Sequence, residues 1–179
     1  VTSRTVDNIN PYLVPSANIV VNKRGAPTDG RCQMDFGNMP ADGGHLLLGG
    51  GELDAMSLPA DARRSFVRRV FGSAEFIRGL ERYCLWISDD EVGAALKFPS
   101  IATRIDQTRR MREKSRDAGT RSLEERPHQF REFKTGRTHS IVVPSVSSET
   151  RPFLPCGVID GNSTITNLAF GLYDAPLWN

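Results

Sequence analysis

The order in which short apolar runs, turn clusters and one long basic helix succeed one another constrains the fold of this chain most. Residues 18–22 (NIVVN) read as a short strand, and residues 23–37 as loop, with Gly25, Pro27, Asp29 and Gly30 as turn formers. Residues 37–44 (GNMPADGG) form a second turn cluster ahead of the apolar run 46–48. From Pro59, the apolar positions Ala62, Phe66, Val67, Val70 and Phe71 recur at helical spacing. This predicts one helix over 59–71, stopped at Gly72, with Arg63, Arg64, Arg68 and Arg69 around its outer side. Residues 82–87 (RYCLWI) read as a buried strand. Ser88-Asp89-Asp90-Glu91 reads as a capping box for a short helix to about Lys97. After Pro99 a longer helix is expected over 100–118, stopping at Gly119. Strands are then expected at 130–133, 139–143, 153–159 and 164–170. The elements mix without regular βαβ repetition. The expected fold is therefore one α+β domain spanning residues 1–179, with a twisted, mostly antiparallel sheet and several helices.

The 179 residues with 39% hydrophobic content suffice for a buried core. No apolar run approaches the roughly 18 residues of a membrane span, and no signal-peptide pattern opens the chain. Cys32, Cys84 and Cys156 are odd in number and widely spaced, which argues for reduced thiols in a cytoplasmic protein rather than a disulfide framework or a zinc site. The missing initiator methionine and the abrupt Trp178-Asn179 finish suggest a piece of a longer polypeptide.

Net charge is only +2, but residues 104–137 carry 11 basic and 6 acidic side chains. Most of that excess is arginine, which prefers planar, bidentate partners such as phosphate or the edge of guanine. On the helix 101–118 (IATRIDQTRRMREKSRDA), Ile101, Ile105 and Met111 make a thin apolar stripe. Arg109, Arg112 and Arg116 at i, i+3 and i+7 are expected to share a face, with Arg110 and Lys114 in a neighbouring row. A solvated helix, its charges paired through Asp106 and Glu113, is the competing reading. Arg121, Arg126, Arg131, Lys134 and Arg137 extend the bias beyond the helix and favour a polyanion.

The segment Pro144-Ser145-Val146-Ser147-Ser148-Glu149-Thr150-Arg151-Pro152-Phe153-Leu154-Pro155 follows the apolar run 141–143. Nucleic-acid readers need cations and hydroxyls for phosphates, and side chains that match base edges. Arg151 can donate two hydrogen bonds to guanine, and Glu149 can accept from the amino group of cytosine. Ser145, Ser147 and Ser148 are candidates for the DNA backbone, as are Arg109, Arg110, Arg112, Lys114 and Arg121; Glu149, Arg151 and Arg116 are candidates for bases. The competing reading is a polar loop whose serines bond their own backbone.

Other motifs carry less. Asn10-Pro11-Tyr12 invites comparison with the Asn-Pro-Pro-Tyr motif of amino-directed DNA methyltransferases but is one proline short. Gly49-Gly50-Gly51-Glu52 lacks G-x-G-x-x-G spacing into a helix, so a plain turn is expected. His45, His128 and His139 are isolated, which leaves a metal site little support. The serines lack a G-x-S-x-G elbow, so no catalytic residue is assigned.

Taken together, several motifs resemble, in order, the region downstream of the methyltransferase domain in MmeI-like enzymes. They are residues 8–14 (NINPYLV), 36–48 (FGNMPADGGHLLL), 72–77 (GSAEFI), 82–87 (RYCLWI), 127–130 (PHQF) and 143–149 (VPSVSSE). Those enzymes, also called type IIL, fuse a nuclease, an adenine-specific methyltransferase using S-adenosylmethionine, and a target recognition domain. The resemblance implies that this chain is the target recognition domain, binding double-stranded DNA beside the methyltransferase and nuclease domains of its parent. It also implies that S-adenosylmethionine and Mg2+ belong to that parent, with no cofactor in this piece. Base choice is expected to depend on the positions after the Val-Ser-Ser element, here Glu149 and Arg151. An RNA-binding or protein-interaction module, or a small stand-alone enzyme, remains the alternative.

Overall fold

A computed structural model describes residues 3–20, 22–27 and 31–177. The chain divides into two compact units, Val1–Gln33 and Met34–Asn179. In the first, the side-chain oxygen of Asn10 accepts from the backbone N–H of Tyr12 (2.9 Å) and Val14 (3.2 Å). That turn gives the Asn-Pro-Tyr motif a local structural role. Residues 18–20 and 22 form no strand, while Val21, like the expected turn residues Asp29 and Gly30 and the terminal Trp178-Asn179, lies outside the described residues.

The second unit holds two four-stranded sheets. One runs in the order β1 (Asp35–Phe36), β8 (Ala169–Tyr173), β5 (His139–Pro144), β6 (Gly157–Asp160), antiparallel throughout. The other runs β2 (Leu47–Gly49), β4 (Arg82–Leu85), β3 (Val67–Phe71), β7 (Ser163–Ile165), and only its β3–β7 pair is parallel. The α+β class and mostly antiparallel pairing are as expected; the strands are shared between two sheets instead of one.

The expected helix over 59–71 is cut in two. Helix α2 (Ala60–Phe66) stops at Val67, whose backbone is extended, and the rest becomes β3. β-branched Val67 and Val70 suit a strand, and the central position of β3, between β4 and β7, rewards extension with two ladders of hydrogen bonds. The glycine run differs from expectation as well. Gly49 leads directly into α1 (Gly50–Ala55), where the Glu52 carboxylate accepts from the Gly49 N–H at 2.8 Å. At Ser88 half of the expected capping box forms just before α4 (Val92–Ala95): the Glu91 carboxylate accepts from the Ser88 N–H (3.2 Å), but the Ser88 hydroxyl donates to that same carboxylate (2.5 Å) instead of accepting from a backbone N–H.

Residues 130–133 are no strand. Phe130 and Phe133, three apart, both turn onto Trp86, the first edge-on at 5.7 Å and the second stacked at 4.1 Å. Strand alternation would send residues three apart to opposite faces. With Leu46, Leu48, Leu53, Phe66, Val70, Leu85 and Ile101 they form the larger core. A smaller one joins Val142, Ile159, Ile165 and Ala169 under the first sheet, with Phe76 and Tyr173 against it.

Candidate nucleic-acid interface

The basic helix is α5 (Pro99–Glu113), with Pro99 in its first turn. It ends five residues earlier than expected, because Asp117 caps a separate helix, α6 (Ala118–Arg121), accepting from the Thr120 N–H at 2.6 Å. The side of α5 turned inward is Ile101, Ile105, Thr108 and Arg112. Arg112 is fully buried and places its five N–H donors on five backbone carbonyls. Nε donates to Ala41 (2.9 Å), Nη1 to Leu123 (2.9 Å) and Arg126 (2.8 Å), and Nη2 to Pro40 (3.2 Å) and Gln129 (2.7 Å). Burial pushes its pKa down to about 10, which leaves it charged at neutral pH. The assignment of Arg112 to the DNA backbone is therefore corrected: a guanidinium with no exposed surface and every donor occupied has nothing to offer a phosphate. Its expected face partner Arg116 lies beyond the helix, so the row of Arg109, Arg112 and Arg116 does not exist.

The other cations divide into engaged and unengaged groups. Arg110 pairs with Asp106 at 2.9 Å. Arg121 folds onto the chain, donating to the carbonyls of Ser115 (2.7 Å) and Arg116 (3.0 Å). Arg126 donates to the carbonyl of Arg131, Lys134 pairs with Asp35, and Arg137 lies 3.8 Å from Asp174. Arg109, Lys114 and Arg116 are exposed, and no described carboxylate lies within ion-pair distance of them.

The hydroxyl-rich segment leaves the end of β5 as an exposed loop. Strand β5 is held at its start by Asp174, whose carboxylate accepts from the backbone N–H groups of Arg137 and Thr138, both at 2.9 Å. Those hydrogen bonds, Arg137 first, hold its carboxyl well below the usual carboxylate range. At the strand's other end, the Ser145 hydroxyl donates to the Leu168 carbonyl (2.6 Å), and the Ser145 N–H donates to the Ser73 hydroxyl (2.9 Å). Ser73 opens α3 (Ser73–Arg78) and itself donates to the same carbonyl at 2.5 Å. Ser145 is thus spent on pinning the loop's base. Within the loop, the Ser148 carbonyl accepts from the Arg151 N–H at 3.0 Å, and the Ser148 and Thr150 hydroxyls meet at 2.7 Å. This turn projects Glu149 and Arg151, whose side chains, with that of Ser147, make no hydrogen bond or ion pair among the described residues.

Ser147, Ser148 and Arg151 line one cleft of about 290 Å³ with Ser73, Ala74, Ile77, Arg78 and Val146. None of the α5 arginines borders it. Sequence reasoning missed the α3 wall, because it assigned no secondary-structure element between Gly72 and the strand at 82–87. The overlooked signal is Gly72-x-x-Glu75, whose carboxylate accepts from the Gly72 N–H at 3.0 Å and starts α3. Two of the histidines are structural: His128 meets Asp89 at 2.9 Å and His139 the Ala175 carbonyl at 2.8 Å. Among the described residues, no group of three or more His, Cys, Asp or Glu side chains is placed to hold a metal ion, and no helix is long and apolar enough to cross a membrane.

The fold and the loop define a small α+β module that presents polar side chains, unengaged among the described residues, from the end of an interior sheet strand. The family model described as "MmeI, target recognition domain" matches residues 15–179, and the chain belongs to that family. It is 39% identical over 178 residues to DNA methyltransferase A of Bacillus subtilis (strain 168), covering 99% of this chain and 20% of that protein. A solved structure of the type IIL restriction-modification enzyme MmeI in complex with DNA superposes with a TM-score of 0.82 at 29% identity, covering 96% of this chain and 23% of that one. The chain thus spans about a fifth of the length of these relatives.

Proposed function

We propose that the 179 residues are the DNA target recognition domain of a fused restriction-modification enzyme, and that the loop after β5 reads bases. The observation carrying this is the loop itself: its base is pinned by Ser73, Ser145 and the Leu168 carbonyl, while the side chains of Ser147, Glu149 and Arg151 have no partner among the described residues. Rigid placement of unsatisfied donors and acceptors is what base discrimination needs, since a mismatch must leave a polar group unpaired. Family membership and the likeness to a DNA-bound restriction-modification enzyme support the same reading.

In this reading Glu149 and Arg151 match base edges, and exposed Arg116 is a third base contact. Arg109 and Lys114, with Ser147 and Ser148, hold phosphates; Arg110 and Arg121 can join them only by exchanging the partners they already have. The domain does no chemistry. It sets the target adenine before a methyltransferase domain elsewhere in a cytoplasmic polypeptide, and S-adenosylmethionine and Mg2+ belong to those other domains.

The test is selection from a randomised duplex pool by the full-length polypeptide carrying this chain, with sequencing of the bound fraction. Enrichment of one motif of several base pairs, with affinity falling steeply as salt rises, is expected. Preference for structured RNA, or binding without enrichment, would overturn the reading.

A further inference from the structure

The far wall of the loop cleft carries an arginine that sequence reasoning passed over. Arg78 is the last residue of α3, and Gly79 behind it takes a left-handed conformation (φ 67°) that turns the chain away. Its nearby acid is occupied: the Glu75 carboxylate is buried, accepts from the Gly72 N–H and pairs with Arg82 at 3.4 Å. Arg78 is exposed, with no ion-pair or hydrogen-bond partner among the described residues, and it shares the cleft with Ser147, Ser148 and Arg151.

Helix and loop are built as one piece. The Ser73 hydroxyl joins the start of α3 to both Ser145 and the Leu168 carbonyl. At the next turn Phe76 lies against Gly157 of β6 so closely that a Cβ there would sit 2.7 Å from its ring. A cation fixed in register with a base-reading loop suits an anion that recurs at fixed distance from every base, which is the phosphodiester.

We propose that Arg78, with the Ser147 hydroxyl opposite, holds one phosphodiester of the DNA backbone in this cleft and so sets the register of Glu149 and Arg151 on the bases. The inference rests on the DNA-recognition reading above. Two guanidiniums in one cleft then have different work: Arg78 neutralises a phosphate regardless of sequence, and Arg151 is left free for a base edge. The competing role for Arg78 is that of a cation stabilising the C-terminal turn of a helix.

The test compares wild type, Arg78→Ala, Arg78→Lys and Arg151→Ala of the full-length polypeptide in duplex binding over a salt series. It uses the selected sequence and copies bearing single neutral methylphosphonates. Arg78→Ala is expected to bind about tenfold more weakly, with a salt slope lower by about 1 and an unchanged base preference. Arg78→Lys, which keeps the charge, restores most of the slope. One methylphosphonate position weakens wild type and leaves Arg78→Ala indifferent, whereas Arg151→Ala alters base preference. Wild-type affinity and slope in Arg78→Ala, altered base preference there, or weakening matched by a lowered unfolding temperature that Arg78→Lys does not rescue would each overturn the proposal. If wild type itself shows no salt-dependent duplex binding, the recognition reading has failed, a result distinct from all of these.

Discussion

Arg112 on α5 and Arg151 in the loop after β5 are the same residue type in segments that both look basic or polar in sequence, yet they lie at opposite extremes. Arg112 has no exposed surface and five carbonyl partners, whereas the Arg151 side chain is exposed and has none among the described residues. The helix buries one of its arginines because the segments around it, 40–41 and 123–129, present carbonyls that have no strand or helix to pair with. One guanidinium reaches five of them; the carbonyls of Leu123 and Arg126 also accept a backbone N–H, but those of Pro40, Ala41 and Gln129 have no other donor among the described residues and an apolar residue would leave them unmet. The loop has no such debt, since its backbone turns locally and its side chains face outward. An arginine's work is therefore set by the hydrogen-bonding needs of its surroundings more than by the charge of its segment.

The largest expected effect tests the first half of that contrast. Arg112→Ala leaves buried carbonyls without donors and is expected to cost about 3–5 kcal/mol of stability, read as a large drop in unfolding temperature. A folded variant of wild-type stability with weakened DNA binding would return Arg112 to the interface. Next comes the loop: exchanging charges with Glu149→Lys and Arg151→Glu is expected to change the accepted base by about 1–3 kcal/mol of discrimination while unfolding temperature stays put. Uniform loss of activity with unchanged preference would remove these residues from base reading. Smallest is Ser145→Ala, which deletes one hydroxyl bond at the loop's base and is expected to cost about 1 kcal/mol of stability. It should also blunt base preference where Ser147→Ala, with no partner to lose, lowers affinity alone; identical outcomes for the two would show that the loop is not held by this contact.

Much of the fold was legible. Strands at 82–85 and 139–144, the start of α5 at Pro99 and the bond from the Ser88 N–H to the Glu91 carboxylate all follow from periodicity, β-branching and capping chemistry, which act over a few residues. Errors arose where distant partners decide. At residues 67–71 the apolar spacing fits a helix, but the available neighbours β4 and β7 make it a strand. Residues 130–133 were expected as one of several short strands between turns, but Trp86 draws both phenylalanines to one side. The site divides in the same way: Glu149 and Arg151 were visible as a charged turn after a strand, whereas Arg78, 73 residues earlier, shared no local pattern with them.

The sequence by itself determined the α+β class, the strand that carries the loop, the loop's polar content and the family resemblance, because short-range patterning and ordered motifs are written along the chain. Only the tertiary structure decided which cations remain free. Burial, carbonyl satisfaction and ion pairing are properties of segments far apart in sequence, and they took Arg112 inward, tied down Arg121 and left Arg78 and Arg151 facing one cleft.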